Sequence, residues 1–185
     1  MKKETAKSWL WLVLDIVIVV AVVVVLKTFV IATHNVSGPS MAPNFMNNDY
    51  VLAWRHTSLK RGDVVILHAP NNALYIKRII GLPGDTVTSK DDVMYINGKK
   101  YDQPYLKAYE EQWASDNNGL FTQNFSLKSL AATNHAAKVP KDSYFVMGDN
   151  RPISKDSRLI GFVPRSKIEG KIIWRYWPLN KWSVY

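Results

Sequence analysis

Residues 9 to 26 read WLWLVLDIVIVVAVVVVL, eighteen positions that are apolar save for Asp15. As a helix rising about 1.5 Å per residue, a run of that length covers about 27 Å, close to the hydrocarbon thickness of a bilayer. Valine is a poor helix former in water. In lipid, however, every backbone N–H and C=O must pair within its own segment, which drives a Val-rich run into helix. A cleaved secretory signal and a buried core helix compete with a retained span for this segment. A secretory signal has an apolar stretch of about 7 to 15 residues ending in small residues at a cleavage site. Here the run is longer and passes through Lys27 into the bulkier KTFVIA. A retained transmembrane helix over residues 9–32 is therefore expected.

The leader, residues 1–8, carries Lys2, Lys3 and Lys7. The positive-inside rule assigns it to the cytoplasm and sends everything after about residue 33 across the cell membrane, as a single-pass protein. Asp15 lies within two turns of the cytoplasmic end, where headgroups, water or a partner helix can receive it; a functional intramembrane carboxylate is the alternative. The formal net charge of +9 could suggest nucleic acid, but the basic residues are scattered and the main body is expected outside the cytoplasm. No nucleic-acid partner is expected; anionic lipid or a cell-surface polymer suits the charge better. With no cysteine, the exported part has neither a disulfide framework nor thiolate chemistry, and its core alone must hold it.

From Tyr50 onward, short β-branched and aromatic runs (DVVIL, ALYIKRII, DTVTS, VMYING, SYFVMGD, KIIWRYW) alternate with Gly, Pro, Asn and Asp, the pattern of strands and turns. A mainly β exported domain is expected over 33–98 and 139–185. Residues 99–138, with EEQWASDNNG and SLAATNHAA, break the rhythm and read as an inserted subdomain or loop.

Two residues stand out chemically. Ser40 lies in SGPSMAP, just after the span, and Lys77 lies in YIKRIIGLPGD. Strand alternation puts Tyr75, Lys77 and Ile79 on one face and Ile76, Arg78 and Ile80 on the other, so Lys77 has apolar neighbours. A lysine with an ordinary pKa near 10.4 cannot accept a proton from serine at neutral pH. Bringing it to about 7.5 to 8.5 costs about 3 to 4 kcal/mol, within what burial imposes. A Ser/Lys dyad is then possible, beside the plainer reading of a strand lysine whose amine reaches water.

The segments SGPSMAP, RGDVVIL, YIKRIIGLPGD and GDNRPISKDSR with the following GFVP resemble, in order, the sequence boxes of the bacterial type I signal peptidases, in the short single-span form of Gram-positive bacteria. The span running into KTFVIATHNV resembles that family's anchor. The resemblance implies an antiparallel β-sheet catalytic domain and a serine endopeptidase that removes signal peptides from secretory preproteins through an acyl-enzyme, without cofactor or metal. It implies Ser40 as nucleophile, Lys77 as general base and Ser154 as the hydroxyl orienting the lysine. Asp149, Arg78, Asp156 and Arg158 match framework charges. The Ser40 backbone N–H is the implied oxyanion donor. Some members add a serine hydroxyl two residues before the nucleophile, where this chain has Gly38. An extended substrate with small side chains at the first and third positions before the cut is implied, lined by Val36, Met41, Phe45, Tyr75 and Ile76, each of which could equally be core. Asn44 replaces the family's usual threonine and reads as a packing variation. No oligomeric state is assigned.

A Ser-His-Asp hydrolase fits less well: GPSMA lacks the final glycine of a nucleophile elbow, and His34, His56, His68 and His135 have no triad context. Metal hydrolysis lacks an HExxH motif. A non-cleaving assembly or binding module at the cell surface would be marked by loss of Ser40 or Lys77, and both are present. In the tail KIIWRYWPLNKWSVY, Trp174, Tyr176, Trp177 and Trp182 suit either a closing strand or a membrane interface.

Overall fold

The computed structural model describes residues 2–70 and 72–185, with side chains described for residue 9, for 11–70 and for 72–185. The apolar run is helical, α1 (Lys2–Val25), and continues as a wider π-helical turn over Leu26–Val30. Trp11–Val30 is long and apolar enough to cross a membrane, with none of it buried against the rest of the chain. The first strand begins at Ile31, so the expected end of the anchor at residue 32 falls two residues inside the β domain.

Among the described residues there are twelve strands: β1 (Ile31–Asn35), β2 (Tyr50–Trp54), β3 (Val64–His68), β4 (Leu74–Gly81), β5 (Val87–Lys90), β6 (Val93–Ile96), β7 (Lys99–Lys100), β8 (Phe125–Ser126), β9 (Ser143–Met147), β10 (Val163–Pro164), β11 (Ile168–Trp177) and β12 (Ser183–Val184). The main sheet runs β1-β2-β11-β3-β4-β9-β10, with β12 also on β11, and a small sheet runs β7-β6-β5-β8. Every pairing is antiparallel.

β3 is buried on both faces, and its alternation divides the core. Val64 and Ile66 pack with Val36, Met41, Phe45, Val51 and Ile172. Val65 and Leu67 pack with Ile79, Val146, Val163 and Ile168. A third cluster joins the sheets: Ile80, Phe145 and Met147 from the main sheet meet Val87, Met94, Ile96 and Phe125 from the small one.

The small sheet corrects the expected boundary at residue 99. Two of its strands, β5 and β6, lie before that point, and their alternating runs look locally like main-sheet strands. Beyond them, α2 (Lys107–Asp116) precedes Phe121, whose buried ring receives Tyr109 and Trp113 edge-on at 5.2 and 6.1 Å. This is a packed unit, anchored by aromatic contacts.

In the tail, Trp177 lies opposite Tyr50, at the end of β2 remote from the Ile31–Trp54 pair. Trp177, Leu179, Trp182 and Val184 are all exposed.

Candidate active site

Ser40 sits on a turn that follows β1, and Lys77 sits near the middle of β4. Lys77 Nζ donates to Ser40 Oγ at 2.8 Å and to the Ile76 carbonyl at 2.8 Å. The amine also lies 5.0 Å from the centroid of the Tyr75 ring, its neighbour on the same strand face. Lys77 is only 2 % exposed. Burial lowers its pKa to about 8, against the opposing pull of Asp156 and then Asp149. Desolvation therefore wins over two carboxylates, and near pH 8 half of the lysine is in the neutral form a base requires.

The turn carrying Ser40 is clamped by the GDNR loop. The Asn150 backbone N–H donates to the Ser40 carbonyl at 3.1 Å, and the Asn150 side-chain amide donates to the Pro39 carbonyl at 3.2 Å. Gly148 admits this approach: a Cβ there would collide with Ser154 Oγ and with the Ser40 carbonyl. Ser154 is thus beside the turn that carries Ser40. Its buried hydroxyl has no hydrogen-bond partner among the described residues, so the contact to Lys77 that the resemblance implies is not formed.

Two buried ion pairs frame the dyad. Arg78 grips Asp149 through Nε to Oδ1 at 2.8 Å and Nη2 to Oδ2 at 2.6 Å. Arg158 grips Asp156 in the same forked manner, at 2.9 Å for both bonds, while Asp156 also accepts from the Gly148 N–H at 3.0 Å. Such bidentate pairs fix direction as well as charge.

Several contributors are not apparent from the sequence. Asn44 is more than a packing variation: its amide donates to Asp149 Oδ2 at 2.9 Å and to the Tyr105 carbonyl at 3.1 Å. Arg151, 1 % exposed, has no carboxylate partner among the described residues and rests on neutral oxygens. It donates to the Gly148 carbonyl at 2.9 Å, to Thr122 Oγ1 at 3.4 Å and to Gln103 Oε1. Burial lowers its pKa. The segment between β7 and β9 therefore reaches the site through Gln103, Tyr105 and Thr122. Only an exceptional cluster of charge in GDNRPISKDSR hints at these partners.

A cleft of about 410 Å³ opens over the dyad, lined by the stretch from His34 to Met41, by Ile66, by Leu74 to Lys77, and by Ile153 and Lys155. Val36, Met41, Tyr75 and Ile76 are among its walls. Phe45 is not. Its ring is fully buried in the core, 4.9 Å from the Tyr185 ring, packed beneath the cleft in one cluster with Met41, Val51 and Ile172. Two stretches of backbone border the cleft. Over Leu74–Lys77, β4 pairs with β3 on one side, and β9 joins only from Arg78 onward. Residues 36–38 follow β1, an edge strand.

A serine hydroxyl bonded to a desolvated lysine thus lies beside an open strand edge. The family described as signal peptidase, peptidase S26, matches residues 8–177. The chain belongs to the signal peptidase S26 family. It is 35% identical over 188 residues to signal peptidase IB of Staphylococcus aureus, a match covering 99% of this chain and 95% of the relative. Signal peptidase I of Bacillus caldolyticus is 36% identical over 186 residues, covering 98% and 96%. Among solved structures, a signal peptidase I from Enterococcus faecalis aligns with a TM-score of 0.56 and 42% identity, over 62% of this chain and 97% of the other. The mainly antiparallel β fold is thus shared with a signal peptidase I.

Proposed function

We propose that this S26 peptidase cleaves N-terminal signal peptides from secretory preproteins, with Ser40 as nucleophile and Lys77 as general base. The observation that carries the reading is the 2.8 Å bond between Lys77 Nζ and Ser40 Oγ, made by a lysine whose pKa burial lowers to about 8.

The substrate lies extended in the cleft and adds a strand between Leu74–Ile76 and residues 36–38, using backbone pairing for affinity. Walls of Val36, Leu74, Ile76 and Ile153 leave room for small side chains next to the scissile bond. Neutral Lys77 takes the Ser40 proton as Oγ attacks the carbonyl carbon. The Ser40 N–H, which makes no other hydrogen bond among the described residues, faces the developing oxyanion. Lys77 then gives its proton to the departing amine, the C–N bond breaks, and the acyl-enzyme remains. Water attacks the ester with Lys77 again as base, and Oγ recovers the proton on release.

Gly38 offers no hydroxyl at the second oxyanion position, and its amide already donates to Asn47 Oδ1 at 3.0 Å. Ser154 enters by rotating its unpaired hydroxyl to accept from Lys77. Arg78, Asp149, Asp156 and Arg158 hold the frame. Residues 1–8 remain cytoplasmic, Trp11–Val30 crosses the cell membrane, and the β domain works outside.

The test is cleavage of a preprotein by the full chain in detergent and lipid, read by mass spectrometry. One cut after a small residue, absent from Ser40→Ala, is expected. Intact substrate with correctly folded wild-type protein would favour a non-cleaving binding module.

A further inference from the structure

The strand that leaves the apolar span carries a cationic corner of the β domain with it. Ile31 pairs with Trp54, and the Arg55 N–H donates to the carbonyl of Val30, the last residue of the span, at 2.9 Å. Trp54, half exposed, and Arg55 are therefore tied by backbone to the level at which the hydrocarbon ends. That is the headgroup zone, where indole rings concentrate.

Two hollows meet at this corner, and both have Arg55 and Glu169 in their walls. One, about 230 Å³, is completed by Lys27 and residues 31–34. The other, about 370 Å³, is completed by Thr28, His56, His68, Arg165, Ser166 and Ile168. A bulge in β11 between Ile168 and Gly170 turns Glu169 into the junction. There Glu169 accepts Arg55 Nη2 at 2.8 Å and lies 3.2 Å from His34 Nε2 and 3.8 Å from His68 Nε2.

Arg55 and Glu169 cancel each other. Lys27 and Arg165 are left, with no carboxylate partner among the described residues. Among the described residues the Arg165 guanidinium bonds only carbonyl oxygens, those of Ile168 at 3.0 Å and of Arg55 and Thr57 at 3.4 Å. Those carbonyls orient the guanidinium without neutralising it. A pair of hollows with surplus positive charge, imidazole and hydroxyl donors, at headgroup height, matches a phosphodiester with a polar, uncharged head.

We propose that the two hollows flanking Arg55 and Glu169 bind the headgroup of an anionic phospholipid and so hold the β domain at a set height and orientation on the bilayer. The inference rests on the membrane placement proposed above. It adds a lipid-selective site to a span that by itself accepts any bilayer.

The test is native mass spectrometry of the full chain taken from mixed micelles holding equal phosphatidylglycerol and phosphatidylcholine. Wild type is expected to keep phosphatidylglycerol in preference. Removing one cation near an anionic surface lowers the affinity about fivefold, so Lys27→Gln and Arg165→Gln should each reduce retention by about that factor, and 0.5 M salt should reduce it further. Lys141→Gln, on an exposed turn, should change nothing. Lys27 is exposed, so its variant leaves folding intact even if Arg165→Gln does not. Equal retention of the two lipids by wild type, or retention by Lys27→Gln and Arg165→Gln equal to wild type, would overturn the proposal. Inorganic phosphate provides a further arm: displacement of the lipid by millimolar phosphate would assign the corner to a free anion instead. Preprotein cleavage in neutral detergent is measured alongside, so loss of lipid selectivity with intact cleavage counts against this site alone.

Discussion

The ring of Tyr105 lies under the guanidinium of Arg78, 3.9 Å from centroid to Cζ. A residue from outside the main sheet thus covers the cation that holds Asp149. Stacking of this kind contributes about 1 kcal/mol, and more when water is excluded. Tyr105→Ala is expected to lose about 2 kcal/mol, or roughly 4 to 8 °C in Tm for a chain of this size, while Tyr105→Phe keeps the stack and stays within about 1 kcal/mol. Thermal melts of the two variants check it.

Asp149 is the deeper member of its pair, fully buried, and Arg78 is 8 % exposed. Removing one partner of a buried pair leaves an uncompensated charge, at a cost of about 3 to 5 kcal/mol. Asp149→Asn should therefore unfold at markedly lower denaturant. Asn44→Ala, which deletes the bonds to Asp149 and Tyr105, should cost about 1 to 2 kcal/mol. Urea titrations giving equal losses for both would contradict the ranking.

Ser154 has a buried hydroxyl with no partner among the described residues, so Ser154→Ala should leave stability unchanged or raise it slightly. If Ser154 orients Lys77 during turnover, kcat falls about 10- to 100-fold in the same variant. A fully active, more stable Ser154→Ala would reduce the residue to a filler beside Gly148.

Burial of Lys77 is a cost to folding. Its pKa is lowered from 10.5 to about 8, so the folded chain binds that proton more weakly than the unfolded one, and stability rises with pH across this window. Lys77→Met carries no such cost. It should be inactive and, at pH 7, more stable by up to about 3 kcal/mol, with the advantage fading as pH climbs from 8 to 10.5. Chemical denaturation at pH 7 and pH 10 separates this from a simple packing change, which would be independent of pH.

The long apolar helix, the strand-rich body and the Ser40–Lys77 contact were legible because each leaves a local mark: an unbroken apolar run, period-two alternation, and boxes in a characteristic order. Alternation also placed Lys77 beside Tyr75 on one face of β4, and the ring is indeed its neighbour. What escaped depends on distant partners. The small sheet begins at Val87 because Phe125 and Phe145 close a core behind it, and nothing within 87–96 says which sheet those strands join. Phe45 could not be told from a cleft residue, since both are apolar residues near Ser40 in sequence. Asn44 finds its acceptor 105 residues away, and Arg151 finds one 48 residues away, which no local pattern encodes.

The central claim is that neutral, buried Lys77 activates Ser40. Its most direct test is the pH dependence of kcat/KM for preprotein cleavage by the full chain. A general base acts only when deprotonated, so the rate should rise with pH along a single titration whose midpoint lies near 8, and Ser40→Ala should abolish it throughout. A rate that is flat from pH 5 to 9, or that rises through a midpoint near 6.5 as a histidine would give, would contradict the account.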